Sequence, residues 1–217
     1  VFVGAASKNV GVDLLLDFLT AYAPGPVDMP IPSAHKEGSE EEVALAVTDG
    51  SPLAAVVFKT ISESVGDLSF LRVFSGGVKS GDDVFNVSRR TSERIGQVYS
   101  MNGGNRDDME AVGAGDIGAL VKLKDTHTGN TLCGKSAHLE IQPVEFPRPL
   151  IRVAVEAKSR GEEDKISAGL QSIHEEDPSF VSRYDSELRQ IIAEGQGELH
   201  LMVVFGKLKS KYGVEVE

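Results

Sequence analysis

Three features predict a multidomain chain: many short β-prone runs set between glycine turns, a β-α-β-β-α-β alternation after them, and a lone strand–helix pair before them. The architecture they imply is an all-β barrel followed by an α+β ferredoxin-like domain, with the end of an α/β domain in front. A length of 217 residues suffices for one large domain or two ordinary ones. An apolar share of 41% and a charged share of 25% are those of a globular chain in water.

Residues 1–23 hold the strand–helix pair. Val1–Ala5 reads as a buried strand end, and Asn9-Val10-Gly11-Val12 as a turn into a helix over Val12–Tyr22, where Val12, Leu15, Leu16 and Leu19 recur at helical spacing. Pro24, Gly25 and Pro26 stop it. One strand and one helix cannot enclose a core, so the segment is expected to be the tail of a domain whose body lies upstream. The lack of an initiator Met agrees with that, and the start shows no signal-peptide pattern. Residues 24–50 read as an extended connector, with Pro24, Pro26, Pro30 and Pro32, the acidic run Glu40-Glu41-Glu42, and room for a short strand at Val43–Val47.

Residues 51–143 carry only β signals: Leu53–Thr60, Asp67–Phe74, Asp83–Val87, Glu93–Met101, Ile117–Val121 and Leu139–Gln142. Gly76-Gly77, Ser80-Gly81, Gly103-Gly104 and Thr128-Gly129-Asn130 separate them, which favours a barrel. Residues 144–217 alternate. Leu150–Ala157 reads as a strand, and Glu162–Glu175 as a helix with Ile166, Leu170 and Ile173 on one face. Phe180–Tyr184 and Leu188–Ala193 are expected strands around a turn at Asp185-Ser186. Glu198–Tyr212 reads as a second helix, and a last strand starts at Val214.

The net charge is -11, unevenly spread. Residues 1–52 carry 2 basic against 8 acidic side chains, and residues 53–143 carry 10 against 11. An acidic chain repels phosphate at long range, so contact with RNA has to come from local patches. Lys59, Arg72, Lys79, Arg89, Arg90, Arg94 and Arg106, all in the near-neutral middle, are the candidates.

Several chemistries are not indicated. No glycine-rich phosphate loop ending in Lys-Ser/Thr is present, and the five histidines lack the close pairing of a zinc site. Glu175 and Glu176 are neighbours on a helix and face different ways, which solvation of a helix end explains. Cys133 is the only cysteine, so no intrachain disulfide can form; in Thr131-Leu132-Cys133 it reads as a small buried strand residue of a chain from a reducing compartment. No apolar run nears the roughly 18 residues of a membrane span. From spacing alone there is no active site.

Three motifs carry a resemblance. The first is Val3-Gly4-Ala5-Ala6-Ser7-Lys8-Asn9-Val10-Gly11. The second is Arg72-Val73-Phe74-Ser75-Gly76-Gly77-Val78-Lys79-Ser80-Gly81-Asp82, with Ala114-Gly115-Asp116-Ile117 and Thr128-Gly129-Asn130-Thr131-Leu132-Cys133 after it. The third is Glu175-Glu176-Asp177-Pro178-Ser179-Phe180 with Gly195-Gln196-Gly197-Glu198-Leu199-His200-Leu201. In this order they resemble elongation factor G and its relatives nearly end to end. The resemblance implies that residues 1–23 end a GTP-binding domain, 24–50 link it onward, 51–143 form the second-domain translation-factor barrel and 144–217 form the ferredoxin-like third domain. It places the phosphate loop, the Mg-binding threonines and the switch histidine upstream. GTP and Mg are thus expected in the intact protein, with neither bound stably by these residues.

The resemblance also implies residue roles. Ala5, Ala6 and Ser7 occupy the guanine-supporting loop, with Ala5 where the family has serine. Gly195, Gly197, Glu198 and His200 are expected to face the switch regions. Lys59, Arg72, Lys79, Arg89, Arg90 and Arg94 are expected to face ribosomal RNA. The intact protein is expected to be a cytoplasmic, ribosome-binding GTPase that drives translocation or ribosome rearrangement, with this stretch inert in hydrolysis, monomeric and away from membranes. Asp67 and the Asp185-Ser186-Glu187 turn also depart from the family pattern, which leaves open a paralogue that regulates or protects ribosomes without hydrolysis. A stand-alone RNA-binding barrel is the third possibility, and the strand–helix pair before Pro24 argues against it.

Overall fold

The computed structural model describes residues 1–63, 66–158 and 161–217. After a 3-10 turn at Ala6–Lys8 come α1 (Val12–Tyr22), β1 (Ala34–Lys36), β2 (Glu42–Val43), β3 (Ala54–Glu63), β4 (Gly66–Ser75), β5 (Val78–Lys79), β6 (Asp83–Asn86) and β7 (Thr91–Arg94). These are followed by β8 (Val98–Asn102), β9 (Asn105–Met109), β10 (Ala111–Val112), β11 (Ile117–Val121), β12 (Thr131–Gly134) and β13 (Leu139–Ile141). The last part holds β14 (Ile151–Val155), α2 (Glu163–Glu176), β15 (Val181–Asp185), β16 (Gln190–Gly195) and α3 (Glu198–Tyr212). Among the described residues no helix is long and apolar enough to cross a membrane.

Eight antiparallel strands form the barrel in the order β7-β6-β12-β3-β4-β11-β8-β9. β9 leads into β10, which pairs with β5 just ahead of β6, so this ladder draws the two ends of the sheet together. Along β4, Ser69, Leu71, Val73 and Ser75 point into the core, while Phe70, Arg72 and Phe74 face out half-buried. That period of two is what a strand imposes. The core packs Ala55, Val57, Leu71, Val73, Ile95, Val98, Leu120 and Leu132.

Several strands differ from the expected ones, the short β5 and β10 among them. The run Glu93–Met101 is broken into β7 and β8 at 95–97. Ile95 donates its N–H to the Asp82 carbonyl and accepts that of Gly81, which leaves the ladder and drives its side chain into the core. β9 was not anticipated: Asn105-Arg106-Asp107-Asp108-Met109 has no apolar alternation, because its side chains are almost all exposed and only the pairing with β8 makes it a strand.

The segment 24–50, expected as an extended connector, supplies β1 and β2, and β1 pairs with β13 as well as β2. Ala34 is completely buried there, with Leu45 covering Ala54, Val56 and Ile141. Burial of a second small apolar cluster on the outside of the barrel is the reason these residues are ordered against it.

In the last domain β14, β16 and β15 form an antiparallel sheet in that order. A bridge between Ala157 and Val216 sets the C-terminal residues beside β14 as the fourth strand, which completes the ferredoxin-like order 4-1-3-2. α2 and α3 cover one face with Ile166, Leu170, Ile173, Leu201, Val204 and Leu208 around Phe180. Gly169 lets the two helices close: a Cβ there would lie 2.5 Å from a Leu208 methyl. β16 starts at Gln190 instead of Leu188, because Asp185 Oδ1 accepts the N–H groups of Glu187 and Leu188 and Arg189 sits at φ 55°, which prolongs the turn.

Val1–Gly4 is exposed in place of the expected buried strand end, and a bridge joins Ala5 to Val10. α1 buries none of its residues. Phe2, Phe18 and Tyr22 stack on one another, with ring centres 4.9 and 5.0 Å apart, for want of other apolar neighbours.

Candidate functional site

The richest polar constellation lies where the barrel meets the ferredoxin-like domain. It starts in the barrel with two buried polar side chains. Glu93, on β7 and 3% exposed, accepts the backbone N–H groups of Lys124 and Asp125 and the Thr126 hydroxyl. Asn86, wholly buried on β6, donates to the Asp125 carbonyl, Thr126 Oγ1 and Asn130 Oδ1, and accepts from the Arg89 N–H. A buried carboxylate or amide is tolerated only with such partners. These two therefore fix the loop 124–130.

That loop reaches the C-terminal end of α2. His127 Nδ1 lies 2.5 Å from Glu175 Oε2, and the Thr128 hydroxyl is 3.2 Å from the Glu175 carbonyl. Next to it, Glu176 accepts the N–H of Ser62 on β3 at 3.1 Å and is paired with Lys207 and Lys211 on α3. Burial works to raise the Glu176 carboxyl, but hydrogen bonds from Lys211, the Ser62 N–H and Lys207 outweigh it and hold the group below the usual carboxylate range. Lys211 is correspondingly raised: partial burial opposes its charge and the bond to Glu176 prevails. Solvation of a helix end is thus the wrong account of Glu175 and Glu176. They face different ways because one serves the barrel loop and the other ties β3, α2 and α3 together.

The network continues into Gly195-Gln196-Gly197. The N–H of Gln196 donates to His200 Nδ1 at 3.0 Å, which puts the ring proton on Nε2, 3.1 Å from Asp177 Oδ2. Asp177, just past the end of α2, also accepts the N–H and hydroxyl of Ser179. Partial burial pushes its carboxyl up, and the Ser179 bonds and His200 more than compensate, leaving it lowered.

Of the four residues expected to face a switch, two are turned inward. His200 is bonded to Gln196 and Asp177, and Gly195 is buried where a Cβ would meet Leu201 at 2.8 Å and the His200 ring at 3.1 Å. Gly197 and Glu198 are at the surface, and a Cβ on Gly197 would touch nothing. Beside them Leu199, Met202 and Val203 are 74, 68 and 52% exposed, an apolar stripe on the outer face of α3.

The expected RNA-facing cations separate into two groups. Arg89 pairs with Asp125, Arg90 with Glu37, and Arg94 with Asp83. The Arg89 bond holds the Asp125 carboxyl below its usual range. Arg106 likewise pairs with Glu63. Lys59 and Arg72 instead lie over aromatic rings on the outer face of β3 and β4: Lys59 Nζ is 5.7 Å from the Phe70 ring centre and Arg72 Cζ 5.3 Å from that of Phe74. A register shift between Val57 and Lys59 leaves Phe58 as the extra residue of a bulge, and turns its ring out beside Phe70. Lys79, on β5, is exposed and stands apart from both groups.

In the 3-10 turn, the Ala5 N–H is taken by the Val10 carbonyl, while the N–H groups of Ala6 and Ser7 open the turn and have no acceptor within it. Two such groups can receive a carbonyl oxygen.

Of this network, His200, Gly195 and Arg89 were expected at other surfaces, and Glu93, Asn86, His127, Thr128 and Gln196 carried no expected role. The signal that was available is their place: Glu175, Glu176 and Asp177 open one motif, and His127 and Thr128 adjoin another.

Comparison with known proteins covers both domains. The family model described as Elongation factor G domain 2 matches residues 52–135, and that described as Elongation Factor G, domain III matches residues 146–217. Among solved structures, a protein of Thermus thermophilus superposes with a TM-score of 0.74 at 27% sequence identity, over 97% of this chain and 29% of that one. The chain thus spans less than a third of the length of that structural relative.

Proposed function

Because the chain belongs to the elongation factor G family by both of its domains, we propose that it is the central part of a longer ribosome-binding GTPase, and that it passes changes at the nucleotide site to the rest of the protein. Translation is the process to which the family ties it. The observation that carries the finer reading is the built joint: Glu175 and Glu176 bond α2 to the barrel loop and to β3, so a push on α3 bears on the barrel through these bonds.

Two surfaces supply the outer ends of that path. The unpacked face of α1, with Phe2, Phe18 and Tyr22, is where the body of a GTP-binding domain is inferred to sit. The exposed end of α3, with Gly197, Glu198, Leu199 and Met202, is inferred to meet its switch regions. Toward GTP, the N–H groups of Ala6 and Ser7 suit a base carbonyl; the phosphate and Mg ligands are inferred to belong to the upstream part. GTP, once bound there, supplies the free energy that biases the two orientations. The β3–β4 face, with Phe58, Lys59, Phe70 and Arg72, is the surface inferred to lie on ribosomal RNA, since rings stack on bases and cations with no carboxylate partner among the described residues can donate to phosphate.

One observation favours a second reading. Ala5 lacks the hydroxyl of the family's serine and its N–H is engaged by Val10, which weakens base recognition and suits a paralogue with altered hydrolysis. Cosedimentation of the full-length protein with ribosomes, with and without a non-hydrolysable GTP analogue, tests the first reading. Nucleotide-dependent binding with ribosome-stimulated hydrolysis is expected. Binding without hydrolysis selects the paralogue, and no binding overturns both.

A further inference from the structure

The connection between the two domains, residues 142–149, is exposed over most of its length. At its barrel end, the Gln142 N–H is held by the Ser33 carbonyl. At the other end a single side chain grips it. Gln196 Nε2 donates to the carbonyls of both Pro147 and Arg148, at 3.1 and 3.0 Å, and the neighbouring Gly195 carbonyl accepts the Leu150 N–H at 2.8 Å. Pro143, Pro147 and Pro149 have no N–H and fixed φ, which leaves this stretch fewer backbone donors, and the carbonyls of Pro147 and Arg148 are met by the Gln196 amide.

Gln196 is held in turn. Its N–H is bonded to His200, whose other nitrogen reaches Asp177 at the end of α2. The same glutamine therefore touches the connection with its side chain and α3 with its backbone. With the grip made, the stretch of connection without such an anchor is short, about residues 143–146; with it broken, that stretch extends to Leu150, and the Glu175 and Glu176 bonds to the barrel are what still hold the domains together.

We propose that Gln196 is the positioning residue that couples the N-terminal end of α3 to the interdomain connection: displacing the Gly195–Gly197 turn withdraws the amide from Pro147 and Arg148 and lowers the cost of a reorientation of the third domain, which also opens the Glu175 and Glu176 bonds to the barrel. The coupling to nucleotide rests on the function proposed above; the grip itself does not. Gln196 is partly exposed and belongs to neither core, so its substitution leaves both folds intact.

Single-molecule fluorescence transfer between dyes on Asp107→Cys and Ser210→Cys tests the grip without ribosomes, since Cys133 is fully buried and does not compete for label. Gln196→Leu removes the donor and keeps the bulk. It is expected to broaden the distance distribution and to raise the population of reoriented molecules about fivefold, the worth of roughly one net hydrogen bond. Gln196→Arg, which keeps N–H donors at that reach, is expected to restore the narrow distribution. A Leu variant indistinguishable from the parent overturns the proposal, and so does an Arg variant as broad as Leu, because bulk and not donation is then what matters. If the Leu variant shows a lowered melting temperature, Gln196→Met takes its place under the same criteria. In the full-length protein on ribosomes, the Leu variant is expected to bind normally yet lose most of its nucleotide-dependent distance change. Failure of the parent to bind ribosomes overturns the proposed function and leaves the grip to the first measurement.

Discussion

The Glu176 carboxylate accepts the backbone N–H of Ser62, 114 residues away in the chain, while also pairing with Lys207 and Lys211. One side chain thereby joins a barrel strand to both helices of the next domain. Glu176→Gln is expected to cost about 1–3 kcal/mol at neutral pH, because it removes a partly buried charge from two lysines. The folded-state carboxyl is depressed, so its contribution is present above the unfolded value of about 4.3 and is lost as pH falls through the lower folded value. Thermal melts of parent and variant should converge as pH is lowered from 7 to 3. Curves that stay parallel would show that the charge is not what stabilises the joint.

Glu93 holds the 124–130 loop from beneath. Glu93→Leu strands two backbone N–H groups and the Thr126 hydroxyl, and a loss of about 3 kcal/mol in denaturant unfolding is expected. Glu93→Gln keeps one acceptor oxygen and should lose less. Equal losses for the two would mean that volume, not acceptance, sets the cost.

Gly169 and Gly206 make a contrasting pair. A methyl at Gly169 collides with Leu208 and the Tyr212 ring, whereas one at Gly206 meets nothing. Gly169→Ala should destabilise by about 1–3 kcal/mol through forced separation of α2 and α3. Gly206→Ala, on an exposed helical position, should stabilise by about 0.5–1 kcal/mol. Opposite signs in paired melting curves are the expected result.

Cys133 is wholly buried, and burial pushes its thiol up. Native protein should react with an aromatic disulfide only as fast as the barrel opens, and at once in denaturant. Rapid labelling under native conditions would contradict the burial.

Lys59 and Arg72 lie over rings, while Arg89, Arg90 and Arg94 are each paired with a carboxylate. Replacing Lys59 and Arg72 by Ala in the full-length protein should weaken ribosome binding and reduce its salt slope by roughly 0.7–0.9 per charge. The same change at Arg89, Arg90 and Arg94 should do neither. A reversed pattern would move the RNA-facing surface to the other side of the barrel.

What the sequence by itself determined is set by short-range periodicity. β-prone runs between glycine turns marked β3, β4 and β11, and a spacing of three to four marked Ile166, Leu170 and Ile173 on α2, because these signals lie in a residue's immediate neighbours. Where those signals were absent, as in the polar strand Asn105–Met109, only pairing with β8 could declare the strand. The tertiary structure alone decided the joint. Glu175, Glu176, His127 and Gln196 are polar side chains, and a solvated polar residue and one bonded across two domains are spelled alike. Their partners lie up to 114 residues away, and which of them meet depends on how two independently cored domains dock. The same holds for the cations of the barrel: Arg89 and Arg72 look equivalent in the chain, yet folding brings Asp125 to one and the ring of Phe74 to the other.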